Sequence, residues 1–350
     1  MKTYDELTRL GRLRRLRQLA EVALDAYGLA GARLTFVHYE GNVIFRVDAP
    51  DSAPIAGQAQ AANKEGPYVK NRYVLRVLTT SDTDYIASEL TWLAVLSQDA
   101  GIPVREPVPT FDGRLLITVS APGVPDGRIV TLMRWLDGRL LDKGMRPNRV
   151  RAWGRVVAQL HDFAAGWQPP EGFERPHWDW EGQLGGRSFS RPIEEIVAEI
   201  PDRFREPFEI VSAQAREVME GLRKGPDAYG MIHGDMYPEN VLFKGDNVYP
   251  FDFEDCGFGY WMWDIGVALG QWRWTEEWFW IRDAFLDGYA QIRSLPESQL
   301  AHLDLFMAAQ YATMVLWSTV FIGNDPAMRV EYEEWRTKEG NKLLCYFERR

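Results

Sequence analysis

The sequence predicts an α+β fold in two parts: a small antiparallel sheet with one central helix, then a larger, mainly helical part. Three observations lead there. Up to Trp135 the chain alternates short β-rich runs with a single strong helical pattern. From Arg146 onward apolar residues recur mostly at helical spacing. A chain of 350 residues, at about 150 per domain, makes two parts. The division is set at residues 1–133 and 134–350, and a cleft between the parts is the expected ligand site.

The elements follow in order. In "MKTYDELTRLGRLRRLRQLAEVAL", Leu7, Leu10, Leu13, Leu16 and Leu19 recur at helical spacing with arginines between them. This reads as an amphipathic helix packed on the surface, a membrane-surface helix being the alternative. It has no continuous apolar core, so it is not read as a signal peptide. "ARLTFVHYEGNVIFRVDAP" reads as a hairpin turning at Gly41. Ala49 to Pro67 is poor in large apolar residues and reads as a long flexible loop. Tyr73 to Leu78 is a strand. "SDTDYIASELTWLAVLSQDAG" is a helix capped by Ser81 or Asp82 and stopped by Gly101. Two more strands lie in "PVPTFDGRLLITVS" and "RIVTLMRWLDG". The next helix is capped by Asn148, with Val150, Trp153, Val157 and Leu160, beside Val156 and Phe163, as its apolar face. A loop from His177 to Gly186, two charged helices from Pro192 to Lys224, a short strand pair and further helices complete the chain. There are no internal repeats.

The composition, 46% hydrophobic and 26% charged, is ordinary for a globular protein. A net charge of −10 argues against a nucleic-acid binder, which carries a basic face. No apolar run approaches the roughly 18 residues of a membrane span. Cys256 and Cys345 read as free thiols of a cytoplasmic protein, with a disulfide or metal pair as the alternative.

The stretch "MIHGDMYPENVLF", Met231 to Phe243, sets a polar bend between strand-like ends. Buried polar groups are costly unless partnered, so His233, Asp235 and Asn240 need internal hydrogen bonds or a task. Downstream, "NVYPFDFEDCGFGYWMWDIG" places Asp252 after an apolar run. Asp235, Asn240 and Asp252 offer hard oxygen donors that suit Mg²⁺, and an acid that does not hold the metal can take a proton from a hydroxyl. That is a parts set for phosphoryl transfer. The competing reading for each residue alone is a polar turn held by its own side chains.

"HGDMYPENVLF" with "FDFEDCGFG" and "WDIG" resembles the aminoglycoside phosphotransferase and choline kinase-like family, from about Leu34 onward. The resemblance implies a protein-kinase-like bilobal fold, ATP and Mg²⁺ as cofactors, Asp235 as catalytic acid/base, and Asn240 and Asp252 as metal ligands. It makes His233 the structural histidine of the loop and Asp264 the buried acid that holds it. His161, in "QLHDF", reads as a satisfied helix histidine, although the family often has one there. Glu254 and Asp255 are either extra metal contacts or a solvated turn.

The first part departs from the pattern. In "YVLRVL" the alternation puts Val74, Arg76 and Leu78 on one face, and Glu89 on the next helix is the expected partner of Arg76. The family usually has lysine there; arginine is a planar fork that clamps phosphates bidentately. A surface ion pair is the alternative. "HYEGN" is a hairpin turn rather than a glycine-rich loop, so Gly41 and Asn42 are the candidates for phosphate cover.

The implied activity is transfer of the ATP γ-phosphate to a hydroxyl of a small metabolite or antibiotic. A stress-response Ser/Thr protein kinase and a non-catalytic nucleotide-binding regulator are the alternatives. The loop "RPHWDWEGQLGG" is similar to the homoserine-kinase-like branch. Asp179, Glu181 and Trp263, with Trp178, Trp180, Tyr260, Trp274, Glu276 and Glu277, are the candidate acceptor wall. Acids mixed with tryptophans suit an amine beside the hydroxyl; aromatics that only cement the helical part are the competing reading. No nucleic-acid or membrane partner is expected, and the oligomeric state stays open.

Overall fold

In a computed structural model of the chain, residues 3, 4, 6–53, 66–140, 144–324 and 328–348 are described. Most of the expected loop from Ala49 to Pro67 lies outside them. The chain divides into two units, Met1–Arg139 with Pro169–Glu174, and Leu140–Gln168 with Arg175–Arg350.

The first unit holds α1 (Arg9–Ala23), β1 (Arg33–Glu40), β2 (Asn42–Asp48), β3 (Tyr68–Val77), α2 (Thr83–Gln98), β4 (Leu116–Val119) and β5 (Arg128–Leu136). Its antiparallel sheet runs β1-β2-β3-β5-β4, which makes β3 the central strand. Tyr73, Leu75 and Val77 of β3 join a core with Leu16, Leu19, Ala20 and Ala23 of α1. The opposite face of β3 carries Arg76 toward α2. Burial on both faces explains why the last five residues of this strand are all buried rather than alternating. Asp82, not Ser81, caps α2, its side chain accepting the Tyr85 N–H at 3.0 Å. The division at 133/134 would cut β5, whose pairing with β3 and β4 keeps it in the first sheet. Pro169–Glu174 returns to this unit, and the Glu174 N–H donates to Ser88 Oγ of α2 at 2.8 Å.

Where the first unit ends, β6 (Arg139–Leu140) precedes α3 (Pro147–Gly166), β7 (His177–Trp178), α4 (Trp180–Gln183), α5 (Ile193–Ala198) and α6 (Asp202–Leu222). Then come β8 (Tyr229–Ile232), β9 (Val241–Lys244), β10 (Asn247–Pro250), β11 (Gly257–Tyr260), α7 (Trp261–Gly270), α8 (Trp278–Ala290), α9 (Glu297–Leu300), α10 (Leu303–Asn324) and α11 (Arg329–Glu348). Asn148 is not the cap of α3. The cap is Arg146, because Pro147 fills the first helical position, where its missing N–H costs nothing. Asn148 instead donates to Asp246 Oδ1 at 2.6 Å.

Two close approaches place the site. α3 crosses α8 so tightly that a Cβ on Gly154 would sit 2.0 Å from the Phe285 carbonyl oxygen, and one on Gly288 2.0 Å from that of Arg151. The small sheet β7-β11-β8 sets the strand that ends at Ile232 beside the strand that begins at Gly257. One helix among the described residues, α10, is long and apolar enough to cross a membrane, with a mean hydropathy of 1.5. Of its apolar window 72% is buried inside the protein, which is how a core helix comes to be apolar on every side.

Candidate active site

The site grows from one fully buried carboxylate. Asp264, in the first turn of α7, accepts the His233 backbone N–H at 2.8 Å on Oδ2 and the Gly234 N–H at 2.9 Å on Oδ1. The His161 Nε2–H of α3 adds a third bond, at 3.1 Å on Oδ2. His161 Nδ1 then accepts from the Tyr289 hydroxyl of α8 at 2.9 Å. Burial pushes both His161 and His233 below the usual imidazole value, in keeping with one donor and one acceptor nitrogen on each ring.

From that anchor the loop runs Gly234-Asp235. Gly234 has φ of +85°, and a Cβ there would lie 2.3 Å from the Asp255 carbonyl oxygen. Only glycine meets both conditions. His233 Nδ1 accepts the Asp235 N–H at 3.3 Å. Asn240 closes the loop: its Nδ2 donates to the Asp235 carbonyl at 2.9 Å and to Asp235 Oδ2 at 2.6 Å. That turns the amide oxygen of Asn240 away from Asp235.

Phe251 joins this loop to Asp252. Its N–H donates to the Asn240 carbonyl at 2.9 Å, and its carbonyl accepts His233 Nε2–H at 3.0 Å. Asp252 follows directly, with φ of +67°. A non-glycine residue in that region is strained, a condition that clusters at functional sites. Burial first, then the charges of Asp255 and Asp252, push the Asp235 carboxyl up to about 8, against the pull of the Asn240 N–H.

These acids define what the site can hold. Among the described residues no three His, Cys, Asp or Glu side chains could hold a metal ion by themselves. Mg²⁺ that takes its remaining ligands from phosphates and water needs only one or two carboxylates. The Asp252 carboxylate, the Asn240 amide oxygen and the mutual repulsion of the acids fit that ion.

In the first unit, Arg76 and Glu89 form a bidentate pair at 2.9 and 3.0 Å, 3% and 1% exposed. Arg76 Nε also donates to Thr131 Oγ1 at 3.2 Å. The pair is buried on a central strand, not at a surface edge. The turn at Gly41 and Asn42 is fastened to Thr79, whose N–H donates to Asn42 Oδ1 at 2.9 Å and whose hydroxyl donates to the Gly41 carbonyl.

The acceptor-wall residues scatter. Asp179 caps α4 by accepting the Gly182 N–H at 3.0 Å, and Arg187 and Lys224 occupy its two oxygens. Burial raises the Asp179 carboxyl, but its bonds to Lys224 and Arg187 prevail and hold it below the usual range. Trp263 is buried and its indole donates to the Gly234 carbonyl at 3.3 Å, so it supports the loop. Tyr260 is core, its hydroxyl donating to the Met219 carbonyl at 2.6 Å. Trp180 packs on α6 through Ser212 and Arg216. Glu181, Glu276 and Glu277 are exposed. Trp178 donates to the Asp255 carbonyl, in the turn after Asp252, at 2.6 Å. Tyr289 stands near no motif in the sequence, and Arg175, the first residue of "RPHWDWEGQLGG", carries no local sign of its role there.

The family model described as "Phosphotransferase enzyme family" matches residues 54–301, which take in Arg76, Glu89, His161, His233, Asp235, Asn240, Asp252 and Asp264 but not the turn at Gly41 and Asn42. The chain belongs to the phosphotransferase enzyme family. Its relatives include an amicoumacin kinase of Bacillus subtilis, 26% identical over 208 residues, or 56% of each chain. A homoserine kinase of Sinorhizobium fredii is 28% identical over 244 residues, 69% of this chain and 68% of that one. The chain thus spans little more than half the length of the Bacillus relative. Among solved structures, a microcompartment-associated aminopropanol kinase superposes with a TM-score of 0.72 at 25% identity, over 94% of this chain and 95% of the other. The family match begins at residue 54 rather than near Leu34, and leaves α10 and α11 outside it.

Proposed function

We propose that this family member is a small-molecule kinase, moving the γ-phosphate of ATP to a hydroxyl of a small acceptor. The observation that carries the reading is the single hydrogen-bonded unit made by Asp264, His233, Gly234, Asp235, Asn240 and Phe251, which delivers Asp252 at its end. Asp235 is the proton acceptor. It is oriented by the Asn240 amide, and burial beside the charges of Asp255 and Asp252 makes its carboxylate more basic than a free one. Asn240 and Asp252 hold Mg²⁺, which, when bound, neutralises charge on the phosphates. Arg76, oriented by Glu89, is the first unit's candidate for an α- or β-phosphate contact.

The acceptor is a small hydroxylated molecule, and we favour one that also bears an amine. Aminopropanol and homoserine, named in the relatives' descriptions, both carry amine and hydroxyl. The acid once expected to meet the amine, Asp179, is engaged by Lys224 and Arg187, so amine recognition does not rest on it. The test is an ADP-release assay across amino alcohols, neutral alcohols and hydroxylated antibiotics. ADP release that depends on an acceptor and collapses in Asp235→Asn supports the reading. ATP turnover unchanged by Asp235→Asn overturns it.

A further inference from the structure

The turn after Asp252 is held by a device outside the motif. The Glu254, Asp255 and Cys256 carbonyls are consecutive. Each accepts a side-chain donor from one short segment upstream of the motif. Arg175 Nε donates to the Cys256 carbonyl at 2.6 Å, and its NH2 donates to the Glu254 carbonyl. Trp178 Nε1 donates to the Asp255 carbonyl between them at 2.6 Å. Arg175 is only 6% exposed, so its guanidinium sits in the protein rather than in solvent. The backbone secures the segment itself: the Phe258 N–H donates to the Pro176 carbonyl at 2.8 Å, and β7 runs parallel to β11. Within the turn the Cys256 N–H donates to the Phe253 carbonyl at 3.0 Å.

A left-handed backbone at Asp252 persists only where its surroundings fix it. On one side Phe251 is fixed by His233 and Asn240. On the other side the turn's carbonyls are fixed by Arg175 and Trp178. We infer that Arg175 and Trp178 are positioning residues for Asp252, aiming its carboxylate at the metal of the nucleotide complex. The inference rests on the kinase reading of the site. Outer residues that orient a metal ligand commonly contribute 10- to 100-fold in metal affinity. Lysine in place of Arg175 keeps the charge but cannot span two carbonyls, and phenylalanine in place of Trp178 keeps the ring but removes the donor.

The experiment is calorimetry of ADP binding to the full chain, with and without Mg²⁺, for the unsubstituted protein, Arg175→Lys and Trp178→Phe. The expected result is a loss of about tenfold in the Mg²⁺-dependent gain of affinity in each variant, with Mg²⁺-free ADP affinity unchanged. Trp178→Phe is the milder change and serves if Arg175→Lys does not fold. A Mg²⁺ gain that is present in the unsubstituted protein and undiminished in the folded variants overturns the inference and leaves the kinase reading standing. Equal loss with and without Mg²⁺ also overturns it, because the pair would then be structural only. No Mg²⁺ gain in the unsubstituted protein overturns both.

Discussion

Replacing Asp264 by asparagine tests whether one buried acid sets the reaction loop. The carboxylate accepts three hydrogen bonds, from the His233 N–H, the Gly234 N–H and His161 Nε2–H. Asparagine has the same shape but offers one acceptor oxygen and one amide donor. If the amide takes the Oδ1 place, the Gly234 N–H faces a donor. If it takes the Oδ2 place, His161 can shift its proton to Nδ1 and bond to the Tyr289 oxygen, but the His233 N–H faces a donor. Either way at least one buried backbone donor is orphaned, which costs about 1–3 kcal/mol. At roughly 2–4 °C per kcal/mol for a unit of this size, the melting temperature falls by about 2–12 °C. Catalysis falls further than stability does. The orphaned N–H precedes Asp235 by one or two residues, and a displacement of about 1 Å at a reacting group costs on the order of 10²-fold. The assays are thermal denaturation and kcat on an acceptor found by the ADP-release screen. Asp264→Asn with native melting and native kcat would refute the idea that this acid holds the loop.

Asp235→Asn should leave ADP binding within a few-fold of native and lower kcat by roughly 10²-fold or more, the scale of general acid–base catalysis; near-native turnover removes Asp235 as the base. Asp252→Ala should abolish the Mg²⁺-dependent gain in nucleotide affinity measured by calorimetry, and an undiminished gain would reassign the metal. Metal-free stability should fall as pH rises. An Asp235 carboxyl pushed up to about 8 stays protonated when folded while the unfolded carboxyl, at about 3.9, has ionised, so the folded state binds more protons between those values. Denaturation series from pH 4 to 8 should show this slope in the native chain and a shallower one in Asp235→Asn. Glu89→Ala leaves the guanidinium of Arg76 buried without its bidentate partner and should destabilise the chain by about 3–5 kcal/mol; urea denaturation showing under 1 kcal/mol would mean that the pair is not the buried clamp described.

What could be read in the sequence was what a short segment encodes. Asp235 and Asn240 stand five residues apart and bond each other directly. Strand alternation was enough to place Arg76 opposite Glu89, because a charged residue between Val74 and Leu78 on a core strand needs a partner. What could not be read depends on distant segments. His161 and Tyr289 are 128 residues apart and meet only because Gly154 and Gly288 let α3 and α8 touch. Asp179 reads as an open acid until the fold brings Lys224, 45 residues on, to its second oxygen. Trp263 reads as pocket lining until its indole is seen to bond the Gly234 carbonyl.

Gly234 shows why so short a motif can be so informative. Its left-handed φ would tolerate asparagine or aspartate at modest cost. The Asp255 carbonyl oxygen, 2.3 Å from where a Cβ would sit, excludes any side chain at all. Two backbones therefore touch at this residue: the loop bearing Asp235 and the turn that follows Asp252. The Trp178 indole holds the far segment at that same carbonyl. An alanine at 234 must push the turn away or rotate the loop, and either motion separates Asp235 from Asp252. The glycine between His233 and Asp235 is thus a tertiary contact written into a local pattern. It ties the loop bearing Asp235 to the turn that follows Asp252 by a contact of two backbones.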